Sequence, residues 1–488
     1  MLILWHHLVM KTYQSKEVAS FIGRTEEIKV LNEVSASGEA SIVVAYGRRR
    51  VGKTTLIEHV YRKRNLLKFE GLEVGDAKKQ RQHFLDQLAD YSEDPKISRL
   101  EARTWKDVFL YLYDFVKKGT WTIFFEELQW MSCYDSELIS EFKFVWDNYF
   151  QKNGKIIFVL CGSSPSFMIQ SVVLSKALYN RSQRNIHLQP FTIEETKTFL
   201  KRSITTMELF DLYLSVGGIP EYLKYFRKSD SCFLRLTKAT FIKDGELFPE
   251  VDKILASSFS KEERYFDILK SLGSNKYKTR EELAKSLKIK TGGNFSKQLF
   301  DLEQTGLIAK RQPIDAKEKS KLVKYEIADP FLQFYFKFVL SKKQDILLGR
   351  YNKNPSVGLD LNKYRQWLGY SFERWCRYNH FKIGDKLGFS SVDYKVGPYF
   401  KRDEKGTQVD LLFLRKDRVA TVCEIKYTVN PVGIDAYHDL EQRVLLVQKE
   451  FHQYSIQKVL ISASGAEKKI KNGAYFDSIL TLEDLLEN

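Results

Sequence analysis

Short apolar runs alternate with amphipathic stretches along the first two hundred residues of the chain. The segments ASIVVAYG (40–47), WTIFFEE (121–127) and KIIFVLCGSS (155–164) are β-rich and too short for helices, so they predict buried strands. Helical patterns lie between them, such as SELISEFKFVWDNYFQ (136–151). This alternation predicts a mostly parallel sheet that is covered by helices over residues 15–200.

The pattern becomes helical after residue 200. Residues 201–260 contain the break SVGGIPEYL (215–223), where the glycines and the proline should stop or cap a helix. Residues 261–340 then show three short helical patterns and the two strands of a β-hairpin. These five segments are KEERYFDILKSLG (261–273), TREELAKSLKI (279–289), GGNFSKQLFDLEQTGLI (292–308), AKRQPI (309–314) and KLVKYEIADP (321–330).

The last part of the chain returns to strands. The dense aromatic run FLQFYFKFVL (331–340) is expected to pack against this part. Residues 345–488 begin with the helix YRQWLGYSFERWCRYN (364–379) and continue with three consecutive strands and a later fourth one. The predicted strands are VDYKVGPYF (392–400), TQVDLLFLRKD (407–417), RVATVCEIKY (418–427) and VLIS (459–462).

Composition narrows the possible partners. The 488 residues include 78 Lys or Arg and 62 Asp or Glu, a formal net charge of +16, which favours nucleic acid, nucleotide or an anionic membrane surface. Five cysteines without metal-ligand spacing argue against a disulfide framework or a zinc ribbon and predict a reducing, cytoplasmic location. No apolar run is long enough for a membrane helix. The start, MLILWHHLVM, lacks signal-peptide features, and Met10 stays open as an alternative start.

Residues 47–54 fit the phosphate-binding pattern G-x-x-x-x-G-K-S/T between a predicted strand and a helical stretch. Backbone N–H groups of such a loop point at the phosphates, and the helix N-terminus adds positive charge. Lys53 can reach the β- and γ-phosphates, and the Thr54 hydroxyl can hold Mg²⁺. The predicted ATP-binding residues here are Gly47, Arg48, Arg49, Arg50, Val51, Gly52, Lys53, Thr54 and Thr55.

Acidic and polar residues follow the next predicted strands. Glu126 is expected to contact Mg²⁺ and Glu127 to polarise the attacking water, unless both acids are exposed and idle. Ser163 is the candidate sensor of the γ-phosphate. Arg181 and Arg184 could reach a phosphate in cis or from a neighbouring subunit, or could be ordinary surface cations.

Six motifs occur in order over residues 20–260: FIGRTEEIKVL, GRRRVGKTTLI, FFEELQWM, CGSSPSFM, NRSQRNIHLQPF and GGIPEYL. Together they resemble the archaeal-type ATPase family of P-loop NTPases, close to the AAA+ and STAND groups. The resemblance implies that Arg24 lies near the adenine end of ATP. It also implies that Gly217, Gly218 and Pro220 couple the nucleotide to a helical lid. Glu126 departs from the usual Asp.

Residues 261–340 resemble a winged helix-turn-helix, with residues 293–308 as the recognition helix. Residues 276–324 carry 13 Lys or Arg and 6 Asp or Glu, a balance that suits contacts with DNA phosphates. The alternative is that this segment serves as a lid on the ATPase or as a protein docking module.

A short acidic pattern lies near the C-terminus. Asp410 and Glu424 fall on two consecutive predicted strands, and Glu424 and Lys426 share one strand face. Two carboxylates can bind Mg²⁺ or Mn²⁺, with Lys426 helping to activate water, and Glu373 is the expected third acid. The segment resembles the PD-(D/E)XK nuclease superfamily and the DEXX-box ATPase C-terminal family, with Gln408 where a second acid is common. The alternative is a cross-strand salt bridge.

The predicted protein is an α/β multidomain ATPase. Its parts are a P-loop NTPase core with a parallel sheet (15–200), a helical lid (201–260), a winged helix (261–340) and a PD-(D/E)XK nuclease-like domain (345–488). The expected function is ATP binding and hydrolysis with engagement of DNA and metal-dependent cleavage. The alternative is an ATP-dependent regulatory switch with an inactive nuclease-like scaffold. Homo-oligomer formation, the DNA target and the pathway stay open.

Overall fold

The structure is a computed structural model that describes residues 21–487, with gaps at residues 135–136, 180, 228–230, 260–263, 274–276, 312–313, 315–322 and 401–407. Met10 and residues 15–20 of the first predicted domain lie outside the described residues. Among the helices that the structure describes, none combines the length and the apolar character needed to cross a lipid bilayer.

Five parallel strands form the first sheet, in the order β2-β3-β4-β1-β5. Their bounds are β1 Ser41–Tyr46, β2 Asn65–Glu70, β3 Trp121–Glu126, β4 Ile156–Gly162 and β5 Ser182–His187. The prediction of a parallel α/β sheet is therefore confirmed, with β1, β3 and β4 at the three predicted places. The sequence analysis did not identify the edge strands β2 and β5.

Seven helices accompany this sheet within the described residues: α1 Thr25–Ala36, α2 Lys53–Tyr61, α3 Ala77–Ser92, α4 Trp105–Val116, α5 Leu128–Met131, α6 Glu137–Asn148 and α7 Pro165–Phe167. They bury both faces of the sheet, because alternate residues of each central strand enter two separate hydrophobic cores. Since the strands are parallel, the segments that follow β1, β3 and β4 meet at the carboxyl edge of the sheet.

The next part is helical. Its helices are α8 Ile193–Leu200, α9 Thr206–Val216, α10 Pro220–Leu223, α11 Cys232–Phe241 and α12 Glu250–Ser258. The predicted break falls between α9 and α10. Gly217 has a φ of 71°, and a Cβ on Gly218 would lie 2.0 Å from the carbonyl oxygen of Phe191, so both positions require glycine.

Residues 264–327 form a helix–hairpin module. Its elements are α13 Tyr265–Gly273, β6 Lys278–Thr279, α14 Arg280–Ser286, α15 Gly293–Gln304, β7 Ile308–Arg311 and β8 Lys324–Ile327. The strands form a small antiparallel sheet in the order β6-β8-β7. Thr279 begins α14 with a capping box, in which its hydroxyl accepts from the backbone of Glu282. Two helices follow the module, α16 Pro330–Phe334 and α17 Lys343–Leu347.

The C-terminal part contains a second five-stranded sheet in the order β13-β12-β11-β10-β9. Strands β9, β10 and β11 are antiparallel, whereas β11, β12 and β13 are parallel. The elements are α18 Leu361–Tyr378, α19 His380–Lys386, β9 Tyr394–Phe400, β10 Gln408–Arg415, β11 Val419–Lys426, α20 Ile434–Glu450, β12 Ser455–Ser462, α21 Lys468–Asn472, β13 Ser478–Leu480 and α22 Leu482–Leu486.

The aromatic run 331–340 joins the module to the C-terminal part, as the sequence predicts. The ring centroids of Phe334 and Phe338 lie 5.9 Å and 5.6 Å from that of Trp367 on α18. One continuous hydrophobic core extends from the lid helices through the module to one face of the second sheet. The other face of that sheet is covered by α20. The lid, the module and α18 therefore share one hydrophobic core.

Candidate functional site

The loop between β1 and α2 is shaped by two glycines. Gly47 has a φ of 152° and Gly52 a φ of 97°. A Cβ on Gly47 would lie 2.4 Å from the carbonyl oxygen of Leu188. The buried Lys53 donates hydrogen bonds from its Nζ to the carbonyl oxygens of Gly47 (3.0 Å) and Arg48 (3.2 Å). The amine is thus held under the loop. Thr55, by contrast, is exposed on α2.

Glu126, at the end of β3, lies between a hydroxyl and an amine. The Thr54 hydroxyl donates to Glu126 Oε1, and Lys68 Nζ lies 2.5 Å from Glu126 Oε2. Burial lowers the pKa of Lys68, but Glu126, together with the more weakly acting Glu58 and Glu70, outweighs that effect and the pKa is raised. The two oxygen donors, Thr54 and Glu126, fit the oxygen ligation that Mg²⁺ prefers. Sequence analysis missed Lys68, although it is a charged residue inside an otherwise apolar run, NLLKF.

Glu127 is held by a polar network at the ends of β3 and β4. Its Oε2 accepts hydrogen bonds from the Ser163 backbone N–H (3.0 Å), the Ser163 hydroxyl (2.6 Å) and Gln129 Nε2 (2.7 Å). Glu127 adopts a left-handed backbone with φ of 51°, which turns it out of the strand direction. The structure therefore brings the predicted base and sensor together. Gln129, which was not predicted, is fully buried beside them.

Arg24 contacts the phosphate-binding loop from a position outside it. Its Nη2 donates to the Val51 carbonyl oxygen (3.2 Å), and its guanidinium lies 4.8 Å from the ring centroid of Phe191. Its backbone N–H donates to Glu195 of α8 (3.0 Å). Burial lowers the pKa of Arg24. The residue therefore links the loop to α8, the helix that precedes the lid residues 201–260.

The side chains of Arg48 and Arg50 leave the loop and enter the lid. Arg48 forms an ion pair with Asp329, just after the module, and its Nη2 donates to the Tyr222 hydroxyl at 3.1 Å. Arg50 pairs with Glu250 of α12, which also accepts from the Tyr222 hydroxyl at 2.9 Å. The side chains of these two arginines thus form ion pairs with distant parts of the chain, while the backbone of both residues belongs to the loop. Arg49 is half-buried between them.

The predicted acid–lysine cluster assembles at the second sheet. Lys426 Nζ lies 2.9 Å from Glu424 Oε1 and 3.3 Å from Asp439 Oδ2 of α20. Arg443, one turn further along α20, forms an ion pair with Glu424 Oε2 and lies 3.5 Å from Asp410 Oδ2. Sequence analysis missed Arg443, which has no motif around it.

These residues do not fit a divalent ion as they stand. Among the described residues, no group of three or more His, Cys, Asp or Glu side chains is arranged to hold a metal. The guanidinium of Arg443 contacts both carboxylates, so these two acids already face a cation of the chain itself. Glu373 of α18 is half-buried. Burial raises the pKa of Cys376, and the nearby Cys423, Glu373 and Asp410 raise it further.

Comparison with known proteins identifies the first part of the chain. Residues 21–226 match the profile of a family described as an ATPase domain predominantly from Archaea. This match indicates an ATPase domain in the first part of the chain. An uncharacterized protein of Methanocaldococcus jannaschii is 28% identical over 411 residues, which cover 83% of this chain and 87% of that protein.

Solved structures resemble the chain at low sequence identity. The Walker-type ATPase of Pyrococcus abyssi has a TM-score of 0.49 and 18% identity, covering 68% of this chain and 100% of the other. The ORC2 protein of Aeropyrum pernix, in its ADPNP–ADP complexes, has a TM-score of 0.42 and 14% identity, covering 70% of this chain and 98% of the other.

Arg181 lies at the opposite edge of the ATPase domain from the loop. It precedes β5, and Ser182 at the start of β5 is paired with Ile42 near the start of β1. A six-residue strand separates the two edges by about 20 Å, so Arg181 cannot reach a phosphate bound in the same chain. Its guanidinium forms two hydrogen bonds with Asp147, at 2.6 Å and 2.9 Å. Contact with a nucleotide of a second subunit stays a prediction. Arg184 lies within β5.

Proposed function

We propose that this ATPase uses ATP binding and hydrolysis to control how the helix–hairpin module engages DNA. The observation that carries the proposal is the double connection from the phosphate-binding loop, Arg48 to Asp329 and Arg50 to Glu250. Any movement of the loop on nucleotide binding must be transmitted to these buried acids, since an unpaired buried charge is costly. The thiol form of the cysteines is consistent with a reducing compartment such as the cytoplasm.

The proposed chemistry follows from the positions of the loop side chains. Lys53 binds the β- and γ-phosphates, and Thr54 and Glu126 hold Mg²⁺, which neutralises phosphate charge when bound. Lys68 fixes the second oxygen of Glu126. Glu127 takes the proton of the attacking water, and Ser163 and Gln129 orient its carboxylate.

Replacing Arg50 by alanine should uncouple the module from the nucleotide. We expect hydrogen–deuterium exchange in residues 264–327 to respond to ATP in the wild type and to lose that response in Arg50→Ala. Because Arg50 is partly exposed and Tyr222 still donates to Glu250, the stability cost should be only ~1–3 kcal/mol.

Arg49→Ala is the matched control, since it removes the same kind of side chain from the neighbouring loop position. It should keep the exchange response. A response of Arg50→Ala equal to that of the wild type would show that the loop does not communicate through Glu250.

The module is proposed to bind DNA as a winged helix, with α15 as its third helix and β7–β8 as the wing. Support comes from the order of the elements in the module. It also comes from the exposed lysines that the module carries, at positions 285, 288, 290, 297 and 310. Part of this basic module is not available to DNA. Arg311 is buried against Glu326 and the ring of Tyr277, so it cannot reach a phosphate.

The C-terminal half of α15 is also covered. Asp301 is buried, where it accepts from the Tyr265 hydroxyl (2.8 Å) and from the Ser166 hydroxyl of α7 in the ATPase domain. This contact favours the lid alternative for that half of the helix. The N-terminal half, with the exposed Lys297, is the part available for DNA.

Charge reversal on the exposed part of the module should weaken DNA binding. Replacing Lys285, Lys288 and Lys297 by glutamate should lower affinity at least about tenfold and reduce the salt slope by ~0.9 for each DNA phosphate that the module no longer neutralises. Fluorescence anisotropy at several salt concentrations measures both. The same reversal at Lys63, Lys78 and Lys118, exposed on the ATPase domain, is the control. Equal losses in both triple variants would remove the module as the DNA site.

We also propose that residues 345–488 are a PD-(D/E)XK nuclease-like domain, with Asp410, Glu424 and Lys426 as its central residues. Support comes from the antiparallel β9-β10-β11 unit followed by the parallel β12 and β13, and from the acids on adjacent strands. The position of Arg443 favours the second candidate, a regulatory switch with an inactive scaffold. A cleavage assay with Mg²⁺ or Mn²⁺, with and without ATP, distinguishes the two on linear, branched and single-stranded DNA.

A further inference from the structure

The acid–lysine cluster holds its own cation. Glu424 is 1% exposed, and each of its carboxylate oxygens faces a different cation, Lys426 for Oε1 and Arg443 for Oε2. Asp410 contributes its Oδ2 to the same guanidinium nitrogen, Nη1 of Arg443. One nitrogen therefore bridges the two carboxylates that a nuclease-like site would use to share a metal.

The charges of this arrangement are already balanced. Two positive side chains, Arg443 and Lys426, face the two buried carboxylates. A buried ion cluster is stable only when its charges are paired, and any excess is strongly unfavourable. A divalent ion beside both cations would place four positive charges against two negative ones. Asp439 adds one negative charge, but it is mostly exposed, at 55%, and contacts only the outer side of Lys426.

We infer that Arg443 is the resident cation of this cluster and excludes divalent ions from it, so that a metal binds only when Arg443 is displaced. The inference rests on the nuclease-like proposal for residues 345–488. Helix α20 would then have two roles. It covers one face of the sheet, and it carries Arg443, the side chain that balances the charge of the two carboxylates.

The cluster is open to solvent on the Lys426 side. An open pocket of about 350 Å³ adjoins Lys426 and is lined by Lys426, Thr428, Pro431, Asp435 and Asp439, among others. The cluster can therefore exchange ions with solvent from the Lys426 side. Glu424 Oε1, which faces Lys426, is buried and has no hydrogen bond of good geometry, so it has capacity to ligate an incoming ion.

The test measures Mn²⁺ binding to the full-length protein in the absence of nucleotide, with electron paramagnetic resonance as the method of detection. Four proteins are compared: wild type, Arg443→Gln, Arg443→Lys and the double variant Arg443→Gln/Asp410→Asn. We expect Arg443→Gln to bind one more Mn²⁺ than the wild type at about 1 mM, because glutamine removes the charge and is too short to keep the contacts that Nη1 of Arg443 makes with the two carboxylates. Arg443→Lys keeps the charge and should behave as the wild type.

The double variant identifies where the ion binds. It should lose the additional Mn²⁺ of Arg443→Gln, which excludes binding at the ATPase domain. Melting temperatures give a second readout: Mn²⁺ should raise the Tm of Arg443→Gln and leave that of the wild type and Arg443→Lys unchanged.

Two results would overturn the inference in different ways. If the wild type binds as many Mn²⁺ ions as Arg443→Gln, with equal affinity, and the double variant binds one fewer than both, Arg443 is no barrier, and the metal-dependent nuclease proposal stands. If neither protein binds Mn²⁺ through Asp410, then removing Arg443 opens no site, and metal chemistry in this domain is also rejected.

Discussion

Replacing Lys53 by alanine should reduce affinity for ATP·Mg²⁺ by at least about a hundredfold while the protein stays folded. The amine is buried and held by two loop carbonyl oxygens, so it is already positioned where the phosphates enter. ATP supplies a far better acceptor than a neutral carbonyl, and alanine has no amine to form that charge-assisted hydrogen bond. Isothermal titration calorimetry measures the affinity.

A second substitution separates the effect of the lysine charge on ATP affinity from any effect of a changed loop shape. Lys53→Met keeps most of the aliphatic stem and should lose affinity to the same degree as Lys53→Ala. Lys63→Ala, an exposed lysine just after α2, should bind ATP as the wild type does. An unchanged ATP affinity in Lys53→Ala would contradict the assignment of the loop.

The strands that the sequence revealed are the central ones. β1, β3 and β4 have neighbours on both sides and helices on both faces, so they are apolar throughout and stand out in the sequence. β2 and β5 lie at the edges of the sheet, and residues such as Lys68 and Arg184 break their apolar pattern. An edge strand needs less burial, and its sequence therefore resembles a loop.

The same contrast applies to the functional site. The phosphate-binding loop was predictable because its residues are consecutive and its geometry is local. The partners of Arg48 and Arg50 could not be predicted from the sequence, since Asp329 lies 281 residues after Arg48 and Glu250 lies 200 residues after Arg50. Arg443 was missed for the same reason: an arginine on an amphipathic helix is ordinarily a surface residue, and only the packing of α20 on the sheet brings it to Glu424.

One chain of contacts connects the hydrolysis site to the module. Ser163 donates to Glu127, and three residues later Ser166 donates to Asp301 in α15. The intervening Ser164 donates to the Ser258 carbonyl oxygen of α12 at 3.5 Å. A shift of Ser163 toward a bound γ-phosphate would therefore move a segment that touches both the lid and the module, which gives the proposed coupling a second route beside Arg48 and Arg50.

Replacing Glu127 by glutamine should stop ATP turnover and preserve ATP binding. A general base contributes roughly 10²–10⁴-fold to rate, and glutamine cannot accept the proton of the attacking water. The glutamine can keep its carbonyl oxygen toward the Ser163 N–H and hydroxyl, so the network around it should survive. We therefore expect kcat to fall at least about a hundredfold with Kd for ATP within about threefold of the wild type. Phosphate release and calorimetry measure the two quantities.

Two neighbouring substitutions make the result specific. Glu126→Gln removes a charge at the adjacent position and should instead raise the Mg²⁺ concentration needed for activity, because its carboxylate faces Thr54 and Lys68 and not Ser163. Ser163→Ala leaves Gln129 as a donor to Glu127 and should reduce kcat less than Glu127→Gln does. Hydrolysis by Glu127→Gln at the wild-type rate would place the base elsewhere. Equal effects of Glu126→Gln and Glu127→Gln on Mg²⁺ dependence would mean that the two acids share one role, which their separate hydrogen-bond partners argue against.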